Sequence, residues 1–440
     1  MKIKYNSQYI IYCILVILII YQDSPLYEYF GAEGYSLLPT ISCIGIALYM
    51  ISHKKILLDV TIKKLIRLGV WLIVISVISI SIWVMLGNSI ILYQEFLPIK
   101  TIKILLQYTA YLSYVVIMLM YMRKLSIDQI FRPIVITLVL MTIICVIEAN
   151  EIPYAFRSLH YIGEFPYYRI RLITQEASYT TTLIYIFVAL SLFYSLIRKK
   201  TIVAIITIVC AVVLISNTGA RSAIVAVVIT VLVYSFLTMR ELNGKNFMLI
   251  LIVLIGGGII VVNMWPWVQE AFKNDIEQYT SFATRTYTVF VGLVIGLVFP
   301  VGIGGAYLGV FPDFMMRYID IFYLFETRFN LWEIYRYVHG TTDNGLAVKA
   351  GLMHYNMLWG VVGTFLFLRI MFKMYNSFSK CNLKYKTLLK TTFISNIIFL
   401  LMSDPFSYQF WLLVAIFLYF IGENEKDNNY GKSLELLVHT

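Results

Sequence analysis

Residues 287–311 read YTVFVGLVIGLVFPVGIGGAYLGVF, and the way this stretch meets a membrane decides the topology of the whole chain. It is apolar and long enough to cross a bilayer, whose hydrocarbon core takes about 20 such residues as a helix. Pro300 and the glycines at 296, 302, 304, 305 and 309 argue against a crossing. Proline removes a backbone donor, and non-helical backbone at membrane depth needs protein around it. The segment therefore suits a broken helix, lying in the interface or folded back as a re-entrant hairpin. Flanking charge agrees. If 287–311 crossed, the loop 369–390 with Arg369, Lys373, Lys380, Lys384, Lys386 and Lys390 would fall on the side that the rest of the chain keeps poor in lysine.

The rest of the chain is built for a bilayer. Of 440 residues, 60% are hydrophobic and 13% charged, and the mean hydropathy is +0.80. Soluble proteins carry about 25% charged residues, so a cytosolic enzyme, a disordered chain and a secreted disulfide scaffold are all excluded. Apolar runs near 5–22, 35–52, 68–87, 102–121, 131–149, 178–197, 201–217, 222–239, 246–264, 346–368, 387–403 and 406–421 predict an all-α polytopic membrane protein with about twelve spans. The first run reads as an uncleaved span, because Tyr21-Gln22-Asp23 follows it where a signal peptide has small residues. Cys13, Cys43, Cys145 and Cys210 lie in apolar runs and Cys381 in a Lys-rich loop, which suits neither a disulfide framework nor a metal cluster.

Lys and Arg gather after the second, fourth, sixth and eighth runs, whereas Asp23, Glu28 and Glu33 follow the first. Cytoplasmic loops are the basic ones, which places both termini inside. The net charge of +11 is thus an orientation signal, not a nucleic-acid footprint. Four regions follow: nine spans in 1–264, a large extracytoplasmic loop with an interfacial or re-entrant helix in 265–345, three spans in 346–421, and a cytoplasmic tail in 422–440.

Three outer segments concentrate polar residues that the helices do not require. In EFPYYRIRLITQEASYT (164–180), Arg169 and Arg171 share a face if the segment is extended, and Glu176 lies at the membrane boundary. Snorkelling with a local ion pair is the plain alternative. In SNTGARSA (216–223), Arg221 opens a helix, where a cation opposes the dipole unless an anion is bound. Third is the large loop. It carries Arg285, then ten aromatic residues in the 27 positions 311–337, with Arg317, Arg328 and Arg336 among Trp332 and Tyr335. Aromatic faces suit sugar faces, and they also suit a membrane-interface belt. His339 and Asp343 follow, one helical turn apart, as an imidazole–carboxylate candidate for a base. No Walker A sequence, paired His/Cys cluster or Asp-x-Asp occurs, so no cofactor, metal or nucleotide-sugar donor is expected.

Four pieces in order resemble the O-antigen polymerase and ligase superfamily, the Wzy-type polymerases in particular. They are RIRLITQEASY (169–179), SNTGARSAIVAVV (216–228), Arg285 with FPVGIGGAYLG (299–309), and DNGLAVKAGLMHYNMLWGVVGTFLFL (343–368). The family often has His-Asn where this chain has Asp343-Asn344, so Asp343, His339 or neither could be the base. The resemblance covers roughly 165–420. It implies a GT-C-like helical glycosyltransferase with a periplasmic loop in the bacterial inner membrane. Such an enzyme would move a growing glycan from undecaprenyl diphosphate to a lipid-linked repeat unit, without metal or cofactor, with a chain-length regulator as a candidate partner. Under that resemblance Arg221, Arg285, Arg171 and Arg169 would meet diphosphates. Asp343, His339 or Glu176 would take the acceptor proton, and Arg328, Trp332, Tyr335 and Arg336 would line the glycan. A ligase of the same superfamily would share the arginines. A polysaccharide flippase would also have about twelve spans, but the two halves show no repeat.

Overall fold

The computed structural model describes residues 7–26, 35–52, 58–93, 95–161, 168–175, 177–218, 229–237, 280–323, 332–339, 347–402 and 407–438. Thirteen helices are named from it. The first seven are α1 (Ser7–Ile17), α2 (Leu38–Ser52), α3 (Val60–Met85), α4 (Leu97–Met122), α5 (Ile127–Glu151), α6 (Ala177–Arg198) and α7 (Thr201–Thr218). The others are α8 (Thr280–Val298), α9 (Tyr307–Tyr323), α10 (Trp332–His339), α11 (Gly351–Ser379), α12 (Lys386–Met402) and α13 (Tyr408–Val438). Residues 229–237 are also helical, while the predicted span 246–264 lies outside the described residues. A short antiparallel hairpin, β1 (Ile91–Leu92) with β2 (Glu95–Phe96), joins α3 to α4.

Among the described residues, six helices are long and apolar enough to cross a membrane: α3, α4, α5, α6, α7 and α11. The chain is a multi-pass membrane protein of mostly helical architecture. Their packing divides them. On α6 and α4 most side chains face protein, whereas α3 and α7 turn Val77, Ile78, Ile82, Ile202, Val209 and Val212 outward. An apolar face of that extent is stable against lipid tails, not water. The interior is aromatic: Tyr111 stacks on Trp411 at 5.8 Å, Tyr108 meets Trp359 edge-on at 5.7 Å, and Phe378 stacks on Phe417 at 4.0 Å.

Local sequence sets the helix starts. Asp59 Oδ1 accepts from Thr61 N at 2.7 Å and caps α3, and Pro98 occupies the first turn of α4, where its missing N–H is not needed. Ser126 and Gln129 form a reciprocal capping box on α5. In the same first turn, Asp128 accepts from Lys200 Nζ at 2.8 Å and lies 3.4 Å from Arg198. The hydrogen bond to Asp128, with a second to Tyr194, holds the Lys200 ammonium above its ordinary pKa. Replacing Ser126 with Ala is expected to cost about 1 kcal/mol, read as a small drop in the thermal midpoint in detergent. An unchanged midpoint would mean that the cap does not contribute.

Residues 287–311 form no continuous helix. Helix α8 stops at Val298, the chain turns through 299–306, and α9 begins at Tyr307. The turn lodges between α3 and α4, with Gly304 against Ser76 and Gly305 against Thr101. Ser76 is about 14 Å from the end of α3, at 1.5 Å per residue. Helix α11 is broken opposite the turn, where Gly360 has φ 72° and ψ 175°. Backbone groups released by the two breaks pair with each other. Ile303 N donates to Met357 O at 3.1 Å, and Val362 N donates to Pro300 O at 3.0 Å. Irregular backbone at this depth is thereby satisfied without water.

Candidate functional site

Glu148 ends the apolar run of α5 and is buried, so its carboxylate requires partners. It finds them in backbone. Arg171 N donates to Oε1 at 2.9 Å and Leu172 N donates to Oε2 at 2.7 Å, so both oxygens are occupied by one short segment. The segment turns at that point, with Leu172 at φ 52°. Thr174 Oγ1 and Thr180 Oγ1 both donate to Arg171 O, at 2.7 and 3.0 Å. On the other side Gln22 N donates to Ile173 O at 2.9 Å, forming an isolated parallel bridge with Thr174.

Asp23 follows Gln22 and brings charge to the same place. Its Oδ2 is 2.8 Å from His160 Nδ1, and both side chains are fully buried. Asp23 Oδ2 accepts from His160 when the ring carries a proton on Nδ1. The Nε2 of His160 is buried with no hydrogen-bond partner among the described residues. Arg171 NH1 lies 4.0 Å from the same Asp23 oxygen and 3.4 Å from Gln175 O. Gln22 Nε2 donates to Gln409 Oε1 at 3.0 Å, which ties the cluster to the start of α13. A carboxylate, an imidazole, a guanidinium and a second carboxylate from four separate segments thus meet at one end of the bundle.

The predicted site residues fare differently. Arg171 is buried at 2% exposure, while Arg169 is exposed, so the two do not share a face. The expected extended run fails because the amides at 171 and 172 wrap around Glu148 and the chain turns there. Arg285 is half-buried on α8, and Tyr287, two residues on, donates to Met315 O of α9. Helix α10, which carries Trp332, Tyr335, Arg336 and His339, packs against α8, which carries Arg285. Trp332 is exposed, Tyr335 is half-buried, and the ring of His339 stacks over Tyr335 at 6.5 Å. Glu176, Arg221, Arg328 and Asp343 lie outside the described residues. No group of three or more His, Cys, Asp or Glu that could hold a metal occurs among the described residues.

Three residues of the cluster went unread in the sequence. Asp23 served there only as a sign of orientation, and His160 carried no motif. Glu148 had a readable signal, since an ionisable residue within an apolar run is costly unless it is used. Neither a protein-family model nor a curated protein sequence matches the chain.

Proposed function

We propose that the chain is a membrane glycosyltransferase of the O-antigen polymerase type, acting at the extracytoplasmic face of a bacterial inner membrane. The observation that carries this reading is the Arg-rich segment. It is fastened by Glu148, Gln22 and Asp23, and it keeps Arg169 exposed beside the buried Arg171. A rigid scaffold presenting a guanidinium suits recognition of phosphate oxygens, for which Arg offers planar paired donors. The four family-like pieces in order, the multi-pass helices and the basic loops support the same reading.

In the reaction the acceptor hydroxyl oxygen attacks the anomeric carbon, and the bond from that carbon to the lipid diphosphate breaks. The hydroxyl proton passes to a base. The diphosphate leaves as a stable anion, so stabilising its charge matters more than protonating it. Arg169, Arg221 and Arg285 are assigned to the diphosphates, and Arg171, Asp23, His160 and Glu148 to positioning the segment. Asp343, His339 and Glu176 are the base candidates. Trp332, Tyr335, Arg328 and Arg336 are assigned to the glycan. The full reading includes twelve spans, a GT-C-like arrangement, a periplasmic loop at 265–345 and cytoplasmic termini.

The test is a gel of surface polysaccharide from a deletion strain, with the gene restored as wild type or as Arg169→Ala or Arg221→Ala. Single repeat units on the acceptor are expected from the deletion, and from either variant if the protein is still in the membrane. Complete absence of glycan from the acceptor would instead identify a ligase. Normal chain lengths in both variants would remove the assignment of these arginines.

A further inference from the structure

At the opposite end of the bundle α3 and α11 flank an open groove of about 420 Å³, with Arg67, Arg369 and Lys373 exposed at its rim. From α3 it is lined by Lys64, Arg67, Leu68 and Trp71, and from α11 by Leu366, Arg369, Ile370 and Lys373. Both sets follow the same spacing, i, i+3, i+4, i+7, which is one face of a helix. The helices run in opposite directions, and the order of residue types is reversed to match. On α3 the cations precede the apolar pair, and on α11 Leu366 precedes the cations. The lining therefore grades from charge near the basic end of the bundle to Leu68, Trp71 and Leu366 deeper along the helices.

None of the four cations has an acidic partner among the described residues. Elsewhere at this end partners do form, as Lys200 and Arg198 do with Asp128. Four like charges around one groove repel unless an anion lies between them. The positive-inside rule explains why cations occur at this end, but not why four converge on a groove with an apolar floor. We propose that this groove holds the phosphate headgroup of an anionic membrane lipid, with an acyl chain running over Trp71 and Leu366. Arg67 and Arg369 supply paired donors to the phosphate, and Lys64 and Lys373 add charge. The apolar floor favours a lipid over a free phosphate, which has the same headgroup chemistry and no chain. This site is separate from the glycan chemistry proposed above and does not depend on it.

Native mass spectrometry of the full chain in a neutral detergent tests it, with phosphatidylglycerol, phosphatidylcholine and inorganic phosphate titrated separately. The wild type is expected to retain phosphatidylglycerol saturably and to bind the other two far more weakly. The double variant Arg67→Gln, Arg369→Gln should bind phosphatidylglycerol more weakly by roughly tenfold or more. A control that neutralises Lys124 and Lys384 to Gln, at the same end but outside the groove, should bind as the wild type does. Phosphatidylglycerol with brominated chains should quench Trp emission less in Trp71→Phe. Equal binding by the two double variants would overturn the proposal in favour of diffuse charge. Inorganic phosphate binding as tightly as the lipid would overturn the lipid assignment.

Discussion

Replacing Gly360 with alanine should leave little folded protein in detergent extracts. Gly360 sits at φ 72°, and a Cβ there would lie 2.1 Å from Pro300 O and 2.3 Å from Pro300 C. Those are backbone atoms of a turn that is itself wedged between α3 and α4, so they cannot swing aside as a side chain end would. The facing position is equally tight: Gly302 has φ 97°, and a Cβ on it would meet Leu358 O at 2.1 Å. Backbone strain costs roughly 1–3 kcal/mol, and overpacking commonly adds 1–3 kcal/mol. Parting the two backbones also strips partners from Ile303 N and Pro300 O, at about 1–3 kcal/mol for each buried group. Together these rival the 5–15 kcal/mol that holds a typical protein folded. The expected result is loss of a monodisperse peak in size-exclusion chromatography for both Gly360→Ala and Gly302→Ala. Gly422→Ala is the control, since a Cβ there meets nothing within 4 Å. A wild-type elution profile and midpoint for Gly360→Ala would falsify the interlock.

Asp23→Ala should be the most damaging side-chain truncation in the polar cluster. It takes a fully buried carboxylate away from His160 at 2.8 Å and from Arg171 at 4.0 Å. Removing one member of a buried ion pair typically costs 3–5 kcal/mol, because the remaining charge stays desolvated. The loss should be strongly non-additive with His160→Ala, because the two truncations delete one interaction. A double-mutant cycle on thermal or denaturant stability is expected to give a coupling of about 1–3 kcal/mol. Hydrogen exchange over 168–175 should rise in Asp23→Ala, since the segment loses one of its ties. Additive losses with unchanged exchange would mean that Asp23 and His160 stabilise their own loops separately and do not position Arg171.

The helices were readable because burial in lipid writes long apolar runs into the chain. Pro300 and the glycines after it likewise announced a break, and α8 ends two residues before the proline. The matching break in α11 was not expected. Nothing in MLWGVVG distinguishes a glycine at the kink from a tolerated helix glycine until the turn at 302 is seen against it. In the site, Arg169 and Arg171 stood out as cations on the side where Arg is disfavoured. Their separation into an exposed and a buried residue depends on Leu172 adopting a positive φ, which leucine gives no reason to expect. Asp23 and His160 are remote in sequence and share no periodicity, so their pairing exists only once α1 and α5 are side by side.

The interlocked breaks also impose an order on biosynthesis. The walls that receive the 299–306 turn, at Ser76 and Thr101, are made before the turn leaves the ribosome, whereas Met357 and Val362 are made after it. Until α11 enters the membrane, the carbonyl of Pro300 and the amide of Ile303 lack these partners and need water or another protein to hold them. Seating of the turn is therefore a late event in assembly, and a nascent chain stalled before Met357 should be open to a membrane chaperone or protease at the very point where the finished protein is tightest.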